Sequence, residues 1–459
     1  MSDTVWRART LLTSPHRLCF FWGGVQWVAS ALWWFAVLLR APGLEPVSAE
    51  LPAVTLHALW FSIGSMPLFI AGFLFTAGPK WLAAPVVEAS RLRSGVAAFS
   101  AGWLLTGLAA TGGLDLPVAA AGLWLAALGL AHLVWRSVQM LRRARRADAL
   151  HPRLIVTALG VMVLAHGVAA AALSSGQVAC VGALALAALW WGPVAVFIVA
   201  SHRLLPFLGD GLWPALERRW PRWPLWLLLS AALVQGARAA GPDLWPLGGL
   251  ISLTGLMDVH LGIVCLASAA LTLRWWGTPA LKSPLVRMLF TASLWWLLAL
   301  ALLAAGRAPV LPPDLQRLLQ LAGLHALTLG YLGGTLLVMA TRVTVTHQGR
   351  SPLVDRHGKM LFLLLQVAVA LRVAAALWPD DAGLLTRGAS LAWLLLALSW
   401  LLRHGGWLGR GTPARPAGPF IAADSDRSPK AAAAAPPANR RPSGSPVEAA
   451  RRDRPSHRG

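Results

Sequence analysis

The chain has 459 residues, of which 57% are hydrophobic and only 13% charged, yet its formal net charge is +22. A soluble domain carries about a quarter charged residues, so an ordinary soluble enzyme, a disordered protein and a secreted disulfide scaffold are excluded. In so apolar a chain a basic balance reads as a membrane-topology signal, not a nucleic-acid footprint.

Apolar runs of membrane-spanning length recur along the chain near residues 17–39, 53–78, 95–112, 116–136, 154–174, 178–201, 223–240, 246–273, 286–305, 318–341, 358–378 and 384–403. The first follows a short basic start, is too long for a signal-peptide core and lacks a clear small-residue cleavage site, so it is expected to be retained as a span. With the N-terminus, the even-numbered loops and the C-terminus placed in the cytoplasm, all but six of the 40 Lys and Arg fall on that side. The exceptions are Arg40, Arg238, Arg307, Arg317, Arg372 and Arg387. Such alternation is the positive-inside pattern of an N-in, C-in protein. The expected fold is all-α, a polytopic bundle of about twelve transmembrane helices over residues 1–409 in a bacterial inner membrane. Residues 410–459, rich in Pro, Ala, Ser and Arg without apolar periodicity, are expected to form a disordered basic cytoplasmic tail.

Cys19, Cys180 and Cys265 lie in separate apolar stretches and read as packing residues. The pairs Trp33–Trp34, Trp190–Trp191 and Trp275–Trp276 fall near helix ends and read as an interfacial belt. Trp295–Trp296 sits deeper, as packing or a pocket wall.

An ionisable residue inside a span is costly and marks a functional site by default. Counting about 1.5 Å per residue from the basic residue at each cytoplasmic helix end puts His166, His260, His325 and His57 about 20, 21, 26 and 34 Å up. All four fall in the outer half of a ~30 Å core. Asp258, Arg238 and Arg372 share that level. Four imidazoles, one carboxylate and two guanidiniums at one height predict a single polar site opening toward the periplasm. Asp258 and Arg372 are candidates to pair with each other, whereas Asp258 and His260, two residues apart, cannot share a helix face. His16, His151, His202, His347 and His357 lie at cytoplasmic helix ends and are expected to be solvated or close to phosphate. No H-x-H or H-H pair, Walker A loop, dinucleotide fingerprint, C-x-x-C-H or H-E-x-x-H pattern occurs.

Two strings resemble a known family. HALTLGYLGGTLLVMATRVTVTHQGR, from His325 to Arg350, resembles the signature of the NnrS family of bacterial membrane proteins: His-Ala-Leu-Thr, a Gly-rich turn, Met-Thr-Arg and Gly-His-Thr-Gly-Arg. Met339-Ala340-Thr341-Arg342 carries one inserted Ala, and Thr346 to Arg350 keeps the His, Gly and Arg. HALWFSIGSMPLFIAGFLFTAGPKW, from His57 to Trp81, resembles the family's second helix, and both strings begin His-Ala-Leu. Weaker echoes are Ser14-Pro15-His16-Arg17 and the stretch His202 to Phe207. The second His and the Glu of the family's helix-2 pattern fall on Leu59 and Trp60, which removes one potential ligand and one carboxylate.

The resemblance implies a membrane protein associated with haem and copper and with the response to nitric oxide in denitrification or nitrosative stress. It makes His57 and His325 the leading ligand candidates. A haem iron in a helix bundle needs one or two imidazoles from facing helices and cations for its propionates. His57, His325, His260 and His166 are candidates for the first role, with His57, His325 and His260 the candidate metal ligands. Arg238 and Arg372 are candidates for the second. The expected cofactor is haem, with copper as a second candidate, and the expected partners are the lipid bilayer and a small gas such as nitric oxide. Turnover as an enzyme is not required. Two rival readings stand beside this one: a twelve-span transporter with an intramembrane His/Asp/Arg site, and a membrane oxidoreductase passing electrons to nitric oxide or quinol.

Overall fold

The structure, a computed structural model, describes residues 5–40, 51–111, 115–208, 221–244, 251–276, 278–350 and 354–411. The predicted tail therefore lies, beyond Gly411, outside the described residues. All regular structure among the described residues is helical. The long helices are α1 (Pro15–Leu38), α2 (Ala53–Leu82), α3 (Arg93–Thr111), α4 (Leu116–Arg142), α5 (Leu150–Ser174) and α6 (Ala179–Leu204). They continue as α7 (Trp223–Leu244), α8 (Ile251–Trp275), α9 (Pro284–Ala305), α10 (Pro313–His347), α11 (Arg356–Leu377) and α12 (Pro379–Leu408). Ten of these are long and apolar enough to cross a membrane. The other two are α3, the shortest at 19 residues, and α7, which carries Gln235 and Arg238 and is interrupted by Gly241 at φ 59°.

Lipid tails are as apolar as leucine, so helices in a bilayer associate by close packing and interhelical hydrogen bonds. The α3–α4 pair shows how this sequence achieves it. Gly95 and Gly102 on α3 face Gly129 and Gly122 on α4 in antiparallel register. A Cβ at Gly95 would sit 2.9 Å from the Gly129 carbonyl oxygen, and one at Gly102 would land on Gly122 O and Ala126 N. Four missing side chains let the two backbones touch.

The two ends of the bundle are distinct. At one end Arg17 donates to the carbonyls of Leu408 and Arg410, each at 2.6 Å, and Arg7 N donates to Gly409 O at 2.8 Å. The start of α1 and the end of α12 therefore share an end, and Arg145 N on Leu82 O brings the ends of α2 and α4 together. The opposite end holds the end of α1 and the start of α2, where Trp34 meets His57.

Four helices are widened by π-turns: Trp60–Gly64 in α2, Trp190–Val194 in α6, Ala326–Gly333 in α10 and Leu401–Gly405 in α12. A π-turn adds a residue without adding a full turn, re-aims the side chains around it and is frequent at functional sites. One begins directly after the tripeptide at His57, and another begins within the tripeptide at His325. The shared tripeptide thus marks a shared backbone irregularity.

Candidate functional site

A cavity of ≈ 230 Å³ lies between α1, α2, α6, α10, α11 and α12. His57, His325 and Arg372 all line it. Its wall is otherwise apolar and aromatic, with Trp27, Trp34, Phe61, Phe69 and Trp393 prominent. The His57 imidazole is stacked on the Trp34 indole at 4.0 Å with 25° between planes, and Phe61 closes on its other neighbour position at 4.4 Å. His325 Nδ1 contacts the Leu321 carbonyl oxygen at 2.9 Å. A carbonyl can only accept, so the proton sits on Nδ1 and Nε2 keeps its lone pair, the arrangement of a metal-ligating histidine held by an outer-shell hydrogen bond.

Buried polar groups normally find partners, and several here do not. His57 Nδ1, Trp27 Nε1, Trp393 Nε1 and Ser390 Oγ are buried without a hydrogen-bond partner, and all four residues line this cavity. Arg372 makes no hydrogen bond or ion pair among the described residues. An unpaired guanidinium beside apolar walls is expensive, and a bound anionic group would repay it. The residues fit a haem: imidazoles for the iron, an arginine for a propionate and aromatic walls for the macrocycle. They fit copper less well. Among the described residues no group of three or more His, Cys, Asp and Glu side chains could hold a metal ion. Leu59 and Trp60, at the two positions where the sequence departs from the family's pattern, are buried core. Trp60 donates to Gln26 Oε1 at 3.3 Å and stacks on Trp103.

The other candidates lie elsewhere. His166 is fully buried, with Nδ1 on Met162 O at 2.6 Å and Nε2 accepting from Trp103 Nε1 at 3.1 Å. Both ring nitrogens are thus committed, and the histidine ties α5 to α3. His260 Nε2 contacts Ser230 Oγ at 2.9 Å between α8 and α7, and its Nδ1 is buried without a partner. Arg238 pairs with Asp258 at 2.7 Å. Asp258 also meets Arg307 at 3.7 Å, and Arg307 donates to Gln235 Oε1 at 2.6 Å. Asp258 therefore joins α7, α8 and the end of α9 and does not pair with Arg372. Arg307, just past α9, has its pKa pulled down to about 10 by burial and by the Arg238 charge, against the opposing pull of Asp258. It remains a cation at neutral pH.

Three of the five histidines expected at cytoplasmic helix ends depart from that expectation, while His347 is exposed and His357 half-buried. His16, His151 and His202 are buried, not solvated. His151 Nε2 meets His202 Nδ1 at 3.0 Å, and the His16 and His347 rings lie 4.4 Å apart. Trp33–Trp34 is not a belt pair either, since Trp33 is buried and Trp34 faces His57. Trp190 is also buried, edge-on to Trp296 at 6.4 Å. Only Trp276 of the described belt candidates is strongly exposed.

Sequence reasoning missed Trp27, Trp393 and Ser390 as wall residues. Only Trp34 had a readable signal: it lies near the end of α1, the same end of the bundle at which α2 and His57 begin.

A family model described as NnrS protein matches residues 10–411. No curated protein and no solved structure matches the chain.

Proposed function

The chain belongs to the NnrS family, and on that premise we propose that its outer cavity holds haem, within the bacterial inner membrane, in a protein of the nitric oxide response. The observation that carries this reading is the convergence in one cavity of two imidazoles and an unpaired arginine. One imidazole nitrogen has its lone pair free, and several buried donors lack partners. His325 is the principal ligand candidate, His57 the second, and Arg372 the counter-charge for a propionate. Trp27 Nε1, Trp393 Nε1 and Ser390 Oγ offer further hydrogen bonds to ligand oxygens.

Haem held here by His325 and His57 would supply an iron able to bind nitric oxide. The chain's own part is to orient the imidazoles, to neutralise negative charge with Arg372 and to keep water away with aromatic walls. Nitric oxide is small and apolar and can reach such a cavity through the bilayer. The basic end of the bundle is assigned to the cytoplasm from its charge, which puts the cavity toward the periplasm. Copper is the secondary cofactor, with the two imidazoles and the Met66 thioether as its candidate ligands among the described lining residues. The transporter reading is weaker, because Asp258, Arg238 and Arg307 are engaged with one another away from the cavity.

The optical spectrum of the purified protein, with and without dithionite and nitric oxide, tests the proposal. A Soret band that shifts on adding nitric oxide is expected. Absence of a Soret band from protein expressed with ample haem would overturn it.

A further inference from the structure

A second cavity, of ≈ 300 Å³, opens among the parts of α9, α10, α11 and α12 at the end where the described chain starts and stops. Arg342, Arg350 and Arg403 line it together with His404 and Thr341, and Asp355 is the one carboxylate among its described lining residues. The opposing wall is apolar, formed by Leu285, Met288, Leu337, Leu361 and Phe362.

The charged groups are held in place. The Arg350 and Arg403 guanidiniums stand 4.6 Å and 4.7 Å from the centroid of the same Trp407 indole. Such stacking fixes the planar forks; it leaves the Arg350 edge for a ligand, while Arg403, which directs both terminal nitrogens at Asp355, keeps only its remaining N–H groups. Trp407 is itself tied down by Gln348 Nε2, which donates to its carbonyl at 2.7 Å. Asp355 is already engaged, since it accepts from Gly358 N at 2.8 Å and pairs with Arg403. Arg350 has no ion pair among the described residues. His404 is buried and its Nδ1 meets the Trp400 carbonyl at 3.2 Å, so its Nε2 lone pair is an acceptor for a ligand hydroxyl. Among the described lining residues, three guanidiniums converge on a cavity with one carboxylate. The positive-inside rule requires cations at this end of the bundle; it does not require them to converge on a single cavity with an apolar wall.

We propose that this cavity is a phosphate-binding site, in which Arg342, Arg350 and Arg403 hold a phosphate oxyanion and His404 accepts from a hydroxyl beside it. Two sources share that chemistry: the headgroup of an anionic phospholipid, whose acyl chain would follow the apolar wall, and free inorganic phosphate. Arg forks are suited to both. The site is separate from the outer cavity and does not depend on haem.

The test uses full-length protein in phosphatidylcholine nanodiscs, with thermal unfolding as the readout. Phosphatidylglycerol is added to the lipid in one arm, and inorganic phosphate, against chloride at equal ionic strength, in the other. Wild type is compared with Arg342→Gln/Arg350→Gln and with Arg142→Gln/Arg143→Gln, which removes two exposed basic residues at the inner end of α4. Stabilisation by phosphatidylglycerol that is lost only in the first double variant supports the lipid source. The same pattern with inorganic phosphate supports the free anion. The apparent affinity should fall about tenfold or more, as expected for losing charge-assisted hydrogen bonds. If the double variant does not fold, Arg350→Gln alone, at an exposed position, replaces it with the same expectation. Equal stabilisation of all variants, or no stabilisation by either ligand, overturns the proposal.

Discussion

Replacing Trp103 by Phe separates a structural histidine from a ligand. Trp103, His166 and Met162 are each fully buried, and the Trp103 Nε1–His166 Nε2 bond of 3.1 Å joins α3 to α5. Phenylalanine keeps a ring against Trp60, whose centroid is 5.7 Å away, but removes the donor. His166 Nε2 is then a buried acceptor without a partner, which costs about 1–3 kcal/mol in general. Interhelical hydrogen bonds in membrane proteins average about 0.6 kcal/mol, with a maximum of about 1.7, so the lower part of that range applies. The lost part of the indole leaves a void that adds about 1 kcal/mol. The expected destabilisation is about 2 kcal/mol in all. It is read as a shift of the detergent-unfolding midpoint, with haem content measured on the same samples. Haem per folded protein should be unchanged in Trp103→Phe and in His166→Ala. Loss of haem from either variant at unchanged stability would refute the assignment of His166 as structural.

Gly102→Val should destabilise the bundle by about 1–3 kcal/mol, because its Cβ would meet the α4 backbone at Gly122 and Ala126; the unfolding midpoint checks this. Arg372→Gln should weaken haem retention while leaving the Soret maximum in place, since it removes a counter-charge and no ligand. A changed maximum in the haem that remains would contradict that role. Asp355 offers a pH test. Burial pushes its pKa up, but the hydrogen bond and charge of Arg403, the Gly358 N–H and His357 outweigh it, and the net shift is downward. A lowered carboxylate pKa contributes stability above the unfolded-state value, about 4, and loses it as pH falls through the folded value. Asp355→Asn should therefore lower the melting temperature at neutral pH, with the difference vanishing below the ordinary carboxylate range. A deficit that persists in strong acid would sink the argument.

The long apolar runs and the alternation of basic residues were legible in the sequence because both follow from the bilayer itself. So was the pairing of His57 with His325, through the resemblance and through the height count. Height along a helix, however, says nothing about azimuth. His166 and His260 satisfy the count as well as His325 does, yet one faces Trp103 and the other Ser230, and the cavity lies between other helices. Asp258 shows the same limit: its partners Arg238 and Arg307 are fixed by which helices adjoin, not by depth. The π-turn at each His-Ala-Leu tripeptide was also out of reach, since α and π turns draw on the same apolar residues. The burial of His16, His151 and His202 was misjudged because a helix-end position was equated with exposure, whereas in a bundle the helix ends also pack on one another.

The most direct test of the central claim is the haem content of His325→Gly, measured as the pyridine haemochrome and Soret band, with and without added imidazole. If His325 holds the iron, the glycine variant loses most of its haem, and free imidazole, entering the vacated space, restores the band. If the variant keeps wild-type haem content, or loses it with no response to imidazole while remaining folded, the cavity of His57, His325 and Arg372 is not the haem site.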